Sequence, residues 1–195
     1  MSERSTVPQA ARRRESKRTS TRLPFPVVAI GASAGGIEAL RTLLAHIPAT
    51  LRAALVVVTH LPADTKSHLQ EVLTSFTSLP VREIGEQTRL EPGTVYTVPS
   101  GREVGIEDGR LHLLPPGHDL RYRIIDRFLD SLALDQGCNA VCVILSGSGS
   151  DGANGAVHIS TAVGLVLAQD PSTAIQPGMP SSVLETGVVD AVLPI

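Results

Sequence analysis

The sequence has almost no aromatic surface: aromatic residues make up 3% of it and tryptophan is absent. A protein that stacks single-stranded bases needs aromatic platforms, so nucleic-acid binding of that kind is not expected. The core must be aliphatic. Long apolar runs are missing too. The strongly apolar run at residues 53–58 is not exceeded in length, against the roughly 20 residues of a membrane-spanning helix, so no membrane insertion is expected. The basic stretch near the start runs into Leu23-Pro24-Phe25-Pro26, with no apolar segment of the kind a secretory signal requires. Cysteine is scarce. Cys138 and Cys142 stand four apart in what reads as one strand. At about 3.3 Å per residue they are too far apart to bridge. There is no Cys-x-x-Cys pair, so no zinc or other metal site is expected. A reducing, cytoplasmic setting is the simplest reading.

What is present is a globular composition, 42% hydrophobic and 18% charged over 195 residues, enough for one domain and a tail. The formal charge of −2 hides an asymmetry. Residues 1–22 carry seven basic and two acidic residues, a surplus of +5, and the remainder carries −7. The first 22 residues therefore read as a disordered, solvated basic tail, and residues 23–195 as the folded domain.

From Pro26 onward apolar strands alternate with helical patterns. Strands are expected at 27–30, 53–59, 81–83, 94–98, 104–106, 111–114, 140–145, 164–168 and 188–193. Helices are expected at 37–44, from about 65 to 76 with Asp64 or Thr65 as cap, and at 122–134, 153–161 and 181–186. Asp108-Gly109 between two short strands is a hairpin signal. Near-continuous apolar strands alternating with helices predict an α/β fold: a doubly wound, mostly parallel sheet with helices on both faces. The hairpin is read as an antiparallel insertion.

Ligands of such sheets bind beyond the carboxyl ends of the strands. Ser33 follows the first strand, His60 directly follows the second, and Asp151 lies in the Ser146-Gly147-Ser148-Gly149-Ser150-Asp151-Gly152 segment after the strand at 140–145. Right-handed crossovers put these loops on one edge. A hydroxyl, an imidazole and a carboxylate on one edge are the parts of an acyl-transfer triad. Imidazole titrates near neutrality, so it can take the serine proton and return it, and a carboxylate orients the imidazole. Gly31-Ala32-Ser33-Ala34-Gly35 also fits G-x-S-x-G in its strand–turn–helix context, with a helix N-terminus behind it to offer N–H groups to an oxyanion. Taken singly, each residue has a plainer use: Ser33 or Asp151 as a helix cap, His60 as a loop histidine. Together on one edge they favour the triad. His46, His68, His112, His118 and His158 read as structural or surface residues. Gly31-x-Ser33-x-x-Gly36 is a degraded dinucleotide fingerprint, and Thr59-His60 stands where the ribose-binding acid belongs, so no nucleotide cofactor is expected. Phosphate binding at Gly35-Gly36 or at the second glycine loop stays open, although neither fits G-x-x-x-x-G-K-[ST].

Several separated segments, in order, resemble the catalytic domain of the chemotaxis protein-glutamate methylesterase (CheB-type) family. They are Ile30 to Gly36, His60-Leu61-Pro62, Ile144 to Gly152, Ala168-Gln169-Asp170, Gly178-Met179-Pro180 and Gly187 to Pro194. The wording is closest to the modules fused to methyltransferases in hybrid proteins. The resemblance implies hydrolysis of glutamyl methyl esters on chemoreceptor-like proteins, releasing methanol, and deamidation of selected glutamines. It places the family's serine, histidine and aspartate on Ser33, His60 and Asp151. It assigns the oxyanion and backbone support to Ser148 and Ala34, where many members have methionine and threonine, and Thr59 replaces a common glutamine. A 22-residue tail is too short for a receiver domain, so phosphorylation control in cis is not expected, and a separate response regulator or methyltransferase is the expected partner. The alternative is a non-catalytic relative that binds a receptor or signalling partner through the same surface.

Overall fold

The computed structural model describes residues 22–60, 68–114 and 123–195. Ten strands run along these residues: β1 (Val27–Ala32), β2 (Ala54–Thr59), β3 (Val81–Glu83), β4 (Gln87–Arg89), β5 (Thr94–Thr97), β6 (Glu103–Glu107), β7 (Arg110–Leu114), β8 (Ala140–Ile144), β9 (Leu165–Gln169) and β10 (Ala191–Leu193). Five helices accompany them: α1 (Gly36–His46), α2 (Leu69–Thr74), α3 (Ile124–Gln136), α4 (Ala153–Thr161) and α5 (Gly178–Glu185). Seven strands form one sheet in the order β10-β9-β8-β1-β2-β5-β3, and every pairing in it is parallel. The chain starts in the middle at β1, winds out through β2 to β5 and β3, then returns to the other side at β8. The gap between β1 and β8 is therefore the switch point, where a doubly wound sheet opens a crevice at its carboxyl edge.

Side chains alternate across the central strands, as strand geometry requires. Val27, Ala29, Ala54, Val56 and Val58 enter one core with Ile125, Phe128, Leu129 and Leu132 of α3, Ala156 and Ile159 of α4, and Met179 and Val183 of α5. Ile30, Ala32, Leu55 and Val57 enter the other, with Ala39, Leu40 and Leu44 of α1 and Leu69 and Leu73 of α2. Both faces of the sheet are thus covered, which explains why its strands read as apolar runs. With few aromatics, branched aliphatic side chains fill the interior: apart from Tyr96 and Phe128, the largest fully buried side chains are all Ile and Leu.

The antiparallel insertion is larger than a hairpin. β4 joins it, giving a three-stranded sheet in the order β4-β7-β6. Its strand is Gln-Thr-Arg, which carries no apolar alternation; the pairing with β7 defines it. The tight turn itself is at Asp108 and Gly109, both at positive φ, as an Asp-Gly turn of this kind requires. The Asp135 carboxylate of α3 accepts hydrogen bonds from the Asp108 and Gly109 N–H groups at 2.8 and 3.0 Å, which fastens the small sheet to that helix. Several boundaries also differ, two of them by three residues. α5 begins at Gly178 rather than 181, because Pro180 sits in the first turn, where its missing N–H costs nothing. The last strand begins at Ala191 rather than 188, after Val188 and Val189 have packed on the core as loop residues. The expected cap at Asp64 or Thr65 and the loop residue His118 lie outside the described residues, as do residues 1–21 of the expected tail.

Candidate active site

β1 and β2 end in register, with Ala32 opposite Thr59. Ser33 and His60 each follow one residue later, on neighbouring parallel strands about 4.8 Å apart. On the other flank of β1, Gly31 pairs with Ile144, and the Leu145 N–H donates to the Gly31 carbonyl at 2.9 Å. The glycine-rich loop after β8 is thereby drawn alongside Ser33. The small residues have a steric cause. A Cβ on Gly147 would lie 3.0 Å from the Ser33 Cβ and 2.1 Å from the Met179 sulfur, so the loop approaches the serine this closely only with glycine there.

Ser33 is half-buried and its hydroxyl does not cap α1, which has no side-chain cap. The plainer use of this serine is therefore not the one the fold makes of it. The Ser33 N–H donates to the Ser146 carbonyl at 3.0 Å, and its own carbonyl accepts from the Gly36 N–H at 2.9 Å. Gly35 holds the left-handed conformation, φ 74°, between them, a turn that glycine takes without a Cβ penalty.

His60 Nε2 lies 3.1 Å from Asp151 Oδ2, with the side chains 22% and 3% exposed. The separation is that of a hydrogen bond, yet the buried Nε2 makes no aligned hydrogen bond among the described residues. Catalytic hydrogen bonds in unliganded enzymes are commonly loose and tighten around substrate. Asp151 does not cap the helix that follows it. Its Oδ2 accepts from the Ile125 N–H at 3.0 Å and its Oδ1 from the Asp126 N–H at 2.9 Å, so it caps α3. In exchange Asp126 Oδ1 accepts from the Gly152 and Gly155 N–H groups at 2.9 and 2.8 Å, capping α4. Two buried aspartates each hold the start of the other's helix. These four bonds fix the carboxylate that faces His60.

Asp126 is the residue that pattern reading missed. It stands between Ile125 and Phe128 in an amphipathic helix and passes for a first-turn acid; its partners lie 26 and 29 residues on. Burial pushes its carboxyl above the ordinary 3.8; the Gly155 N–H opposes that rise, and the Asp151 and Asp130 charges add to it.

The N–H groups of Ala34 and Ser148 meet no acceptor among the described residues. The other described histidines have other surroundings: His46 bonds the Thr42 carbonyl, His68 pairs with Glu71, His158 pairs with Asp130, and His112 stands in β7 opposite Gly105. A cleft of about 540 Å³ lies between α3 and α4, over Asp126 and beside Arg123, Arg127 and His158. It is lined by none of Ser33, His60 and Asp151. Among the described residues no group of histidine, cysteine and acidic side chains could hold a metal ion, and no helix is long and apolar enough to cross a membrane.

A parallel α/β domain that brings a serine, a histidine and a buried aspartate to the carboxyl edge of its switch point has the layout of an α/β hydrolytic domain. The CheB methylesterase family model matches residues 28–195, and the chain belongs to that family. It is 36% identical over 175 residues to the protein-glutamate methylesterase/protein-glutamine glutaminase of Moorella thermoacetica, covering 87% of this chain and 41% of that protein. To a second protein of that name from Xanthomonas oryzae pv. oryzae it is 37% identical over 185 residues, covering 91% and 50%. The chain thus spans at most about half the length of these curated relatives. The crystal structure of the Thermotoga maritima CheB methylesterase catalytic domain superposes with a TM-score of 0.81 at 32% identity, covering 88% of this chain and 94% of that one.

Proposed function

We propose that this protein is a serine hydrolase that removes methyl esters from glutamate side chains of chemoreceptor-like proteins, and that residues 23–195 are its catalytic domain. The observation that carries the reading is the convergence of Ser33, His60 and Asp151 at the carboxyl edge, with Asp151 held by two backbone N–H groups and facing the imidazole. Family membership supplies the substrate class.

The chemistry follows from the groups present. The Ser33 hydroxyl attacks the ester carbonyl, and its proton passes to the His60 nitrogen not facing Asp151. The buried Asp151 carboxylate stabilises the imidazolium and keeps the ring oriented. The oxyanion accepts from the Ala34 and Ser148 N–H groups. Collapse breaks the bond to methoxide, which takes the proton from His60 and leaves as methanol. Water, deprotonated by His60, then attacks the acyl-serine and yields the glutamate carboxylate and free Ser33. A glutamine side chain enters the same sequence and releases ammonia, so deamidation needs no further group. No cofactor takes part in this scheme. The proposed partners are the methylated receptor-like substrate and, for control, a separate response regulator or methyltransferase. The proposed location is the cytoplasm.

Trapping tests the scheme. Acid-quenching during turnover of a glutamyl-methyl-ester peptide should leave the acyl group on the peptide that contains Ser33. Turnover with the acyl group on another residue, or with none trapped and Ser33→Ala still active, contradicts it.

A further inference from the structure

Ser146 is 1% exposed and sits two residues past the end of β8, and all its polar atoms are engaged. Its N–H donates to Gln169 Oε1 at 2.8 Å. Its carbonyl accepts from the Ser33 N–H at 3.0 Å. Its hydroxyl donates to the Ala34 carbonyl at 2.9 Å and accepts from the Gln176 N–H at 3.0 Å. Next to it, the Gly147 N–H donates to the Gln176 carbonyl at 2.9 Å and the Gly147 carbonyl accepts from the Met179 N–H at 2.8 Å. One side chain therefore ties together the Ser33 turn, the glycine loop and the segment leading into α5.

The hydroxyl acts on a peptide plane. A trans peptide places its N–H opposite its C=O. The Ser33 carbonyl is turned inward to the Gly36 N–H, which directs the Ala34 N–H the other way. The Ala34 carbonyl is turned to Ser146 Oγ, which directs the Gly35 N–H away from that anchor. Neither N–H has an acceptor among the described residues. We infer that Ser146 is a positioning residue for the reaction. Its hydroxyl fixes the Ala34–Gly35 peptide, the one that follows the Ala34 N–H donor, and so holds the Ser33 turn against the glycine loop that carries Ser148. The inference rests on the Ser33 nucleophile reading.

The test uses the full chain, a glutamyl-methyl-ester peptide and a fluorophosphonate probe that phosphonylates the nucleophile. Ser146→Ala, and Ser146→Cys as a similar-sized variant with a weak donor, should each lower kcat by roughly 10- to 100-fold, less than or about the loss from deleting a donor outright. KM should stay within about twofold, because the interaction is expressed in the transition state. Phosphonylation should slow in parallel, while the fraction of chains finally labelled stays that of the wild type. A residue that only holds the fold together gives the reverse: fewer chains labelled, each at the wild-type rate. That result, in whichever variant folds, overturns the proposal while leaving Ser33 as nucleophile. Label on a residue other than Ser33 overturns both readings.

Discussion

Asp126 allows the energetics of the site to be tested apart from its chemistry. Its Oδ1 is the acceptor for the buried Gly152 and Gly155 N–H groups, and its charge sits against that of Asp151. Asp126→Ala removes the acceptor. A buried donor left unpaired costs about 1–3 kcal/mol, and loss of a cap about 0.5–2 kcal/mol. Relief of a buried charge offsets part of this, so we expect a net loss of about 2–4 kcal/mol. At about 2–4 °C per kcal/mol for a chain of this size, Tm should fall by roughly 5–15 °C. Asp126→Asn keeps Oδ1 and discards the charge, so at neutral pH it should be as stable as the wild type or more stable. The pH dependence fixes the sign. The folded-state value lies above the ordinary 3.8, so between the two the folded protein binds more protons than the unfolded chain. Stability contributed by this group is complete below about 3.8 and is lost as pH rises through the folded value. The advantage of Asp126→Asn over the wild type should therefore grow from about pH 4 upward and then level off. Urea denaturation of the three proteins at several pH values from 4 to 7 measures it. If the asparagine variant is as unstable as the alanine variant, with a deficit that does not change with pH, the charge itself is required and the reasoning fails.

Other consequences are more local. His60→Ala should lose about 10³-fold or more in kcat, and adding Ser33→Ala should cost little further, since members of one catalytic unit are not additive; fully additive losses in steady-state kinetics contradict a shared step. Gly147→Ala places a Cβ 3.0 Å from that of Ser33 and 2.1 Å from the Met179 sulfur. Met179 can yield but the serine must shift, so phosphonylation of Ser33 should slow by an order of magnitude or more, and an unchanged rate shows that the contact does not set the serine's position. Deletion of residues 1–21, which carry a basic surplus, should leave turnover nearly unchanged at 0.1 M salt, where screening acts over about 10 Å. A several-fold rise in turnover, reproduced by adding salt to the intact chain, makes the tail an inhibitor.

The parts of the fold that sequence made legible are those with local causes. The central strands are apolar because both faces of the sheet are covered, and α1, α3 and α4 carry their buried faces at helical spacing. The positions of Ser33, His60 and Asp151 followed from strand ends alone, because parallel topology puts those ends together. What stayed hidden depends on distant partners. β4 is Gln-Thr-Arg and exists by pairing with β7. The mutual capping of Asp126 and Asp151 joins helices far apart in the chain, so Asp151 read as a cap for the wrong helix. Ser146 reaches a carbonyl 112 residues away, and in sequence it is one serine among three in a glycine loop.

The central claim, that the Ser33 hydroxyl carries hydrolysis of glutamyl methyl esters, is tested most directly by methanol. A chemoreceptor cytoplasmic domain labelled on its methyl esters is incubated with the intact chain and with Ser33→Ala, and volatile label is counted against time. The account requires release by the intact chain, with an equal number of glutamate carboxylates appearing on the receptor, and release by Ser33→Ala at or near the uncatalysed background. Release by the alanine variant at the wild-type rate, or none from the intact folded chain on a receptor that other methylesterases demethylate, contradicts it.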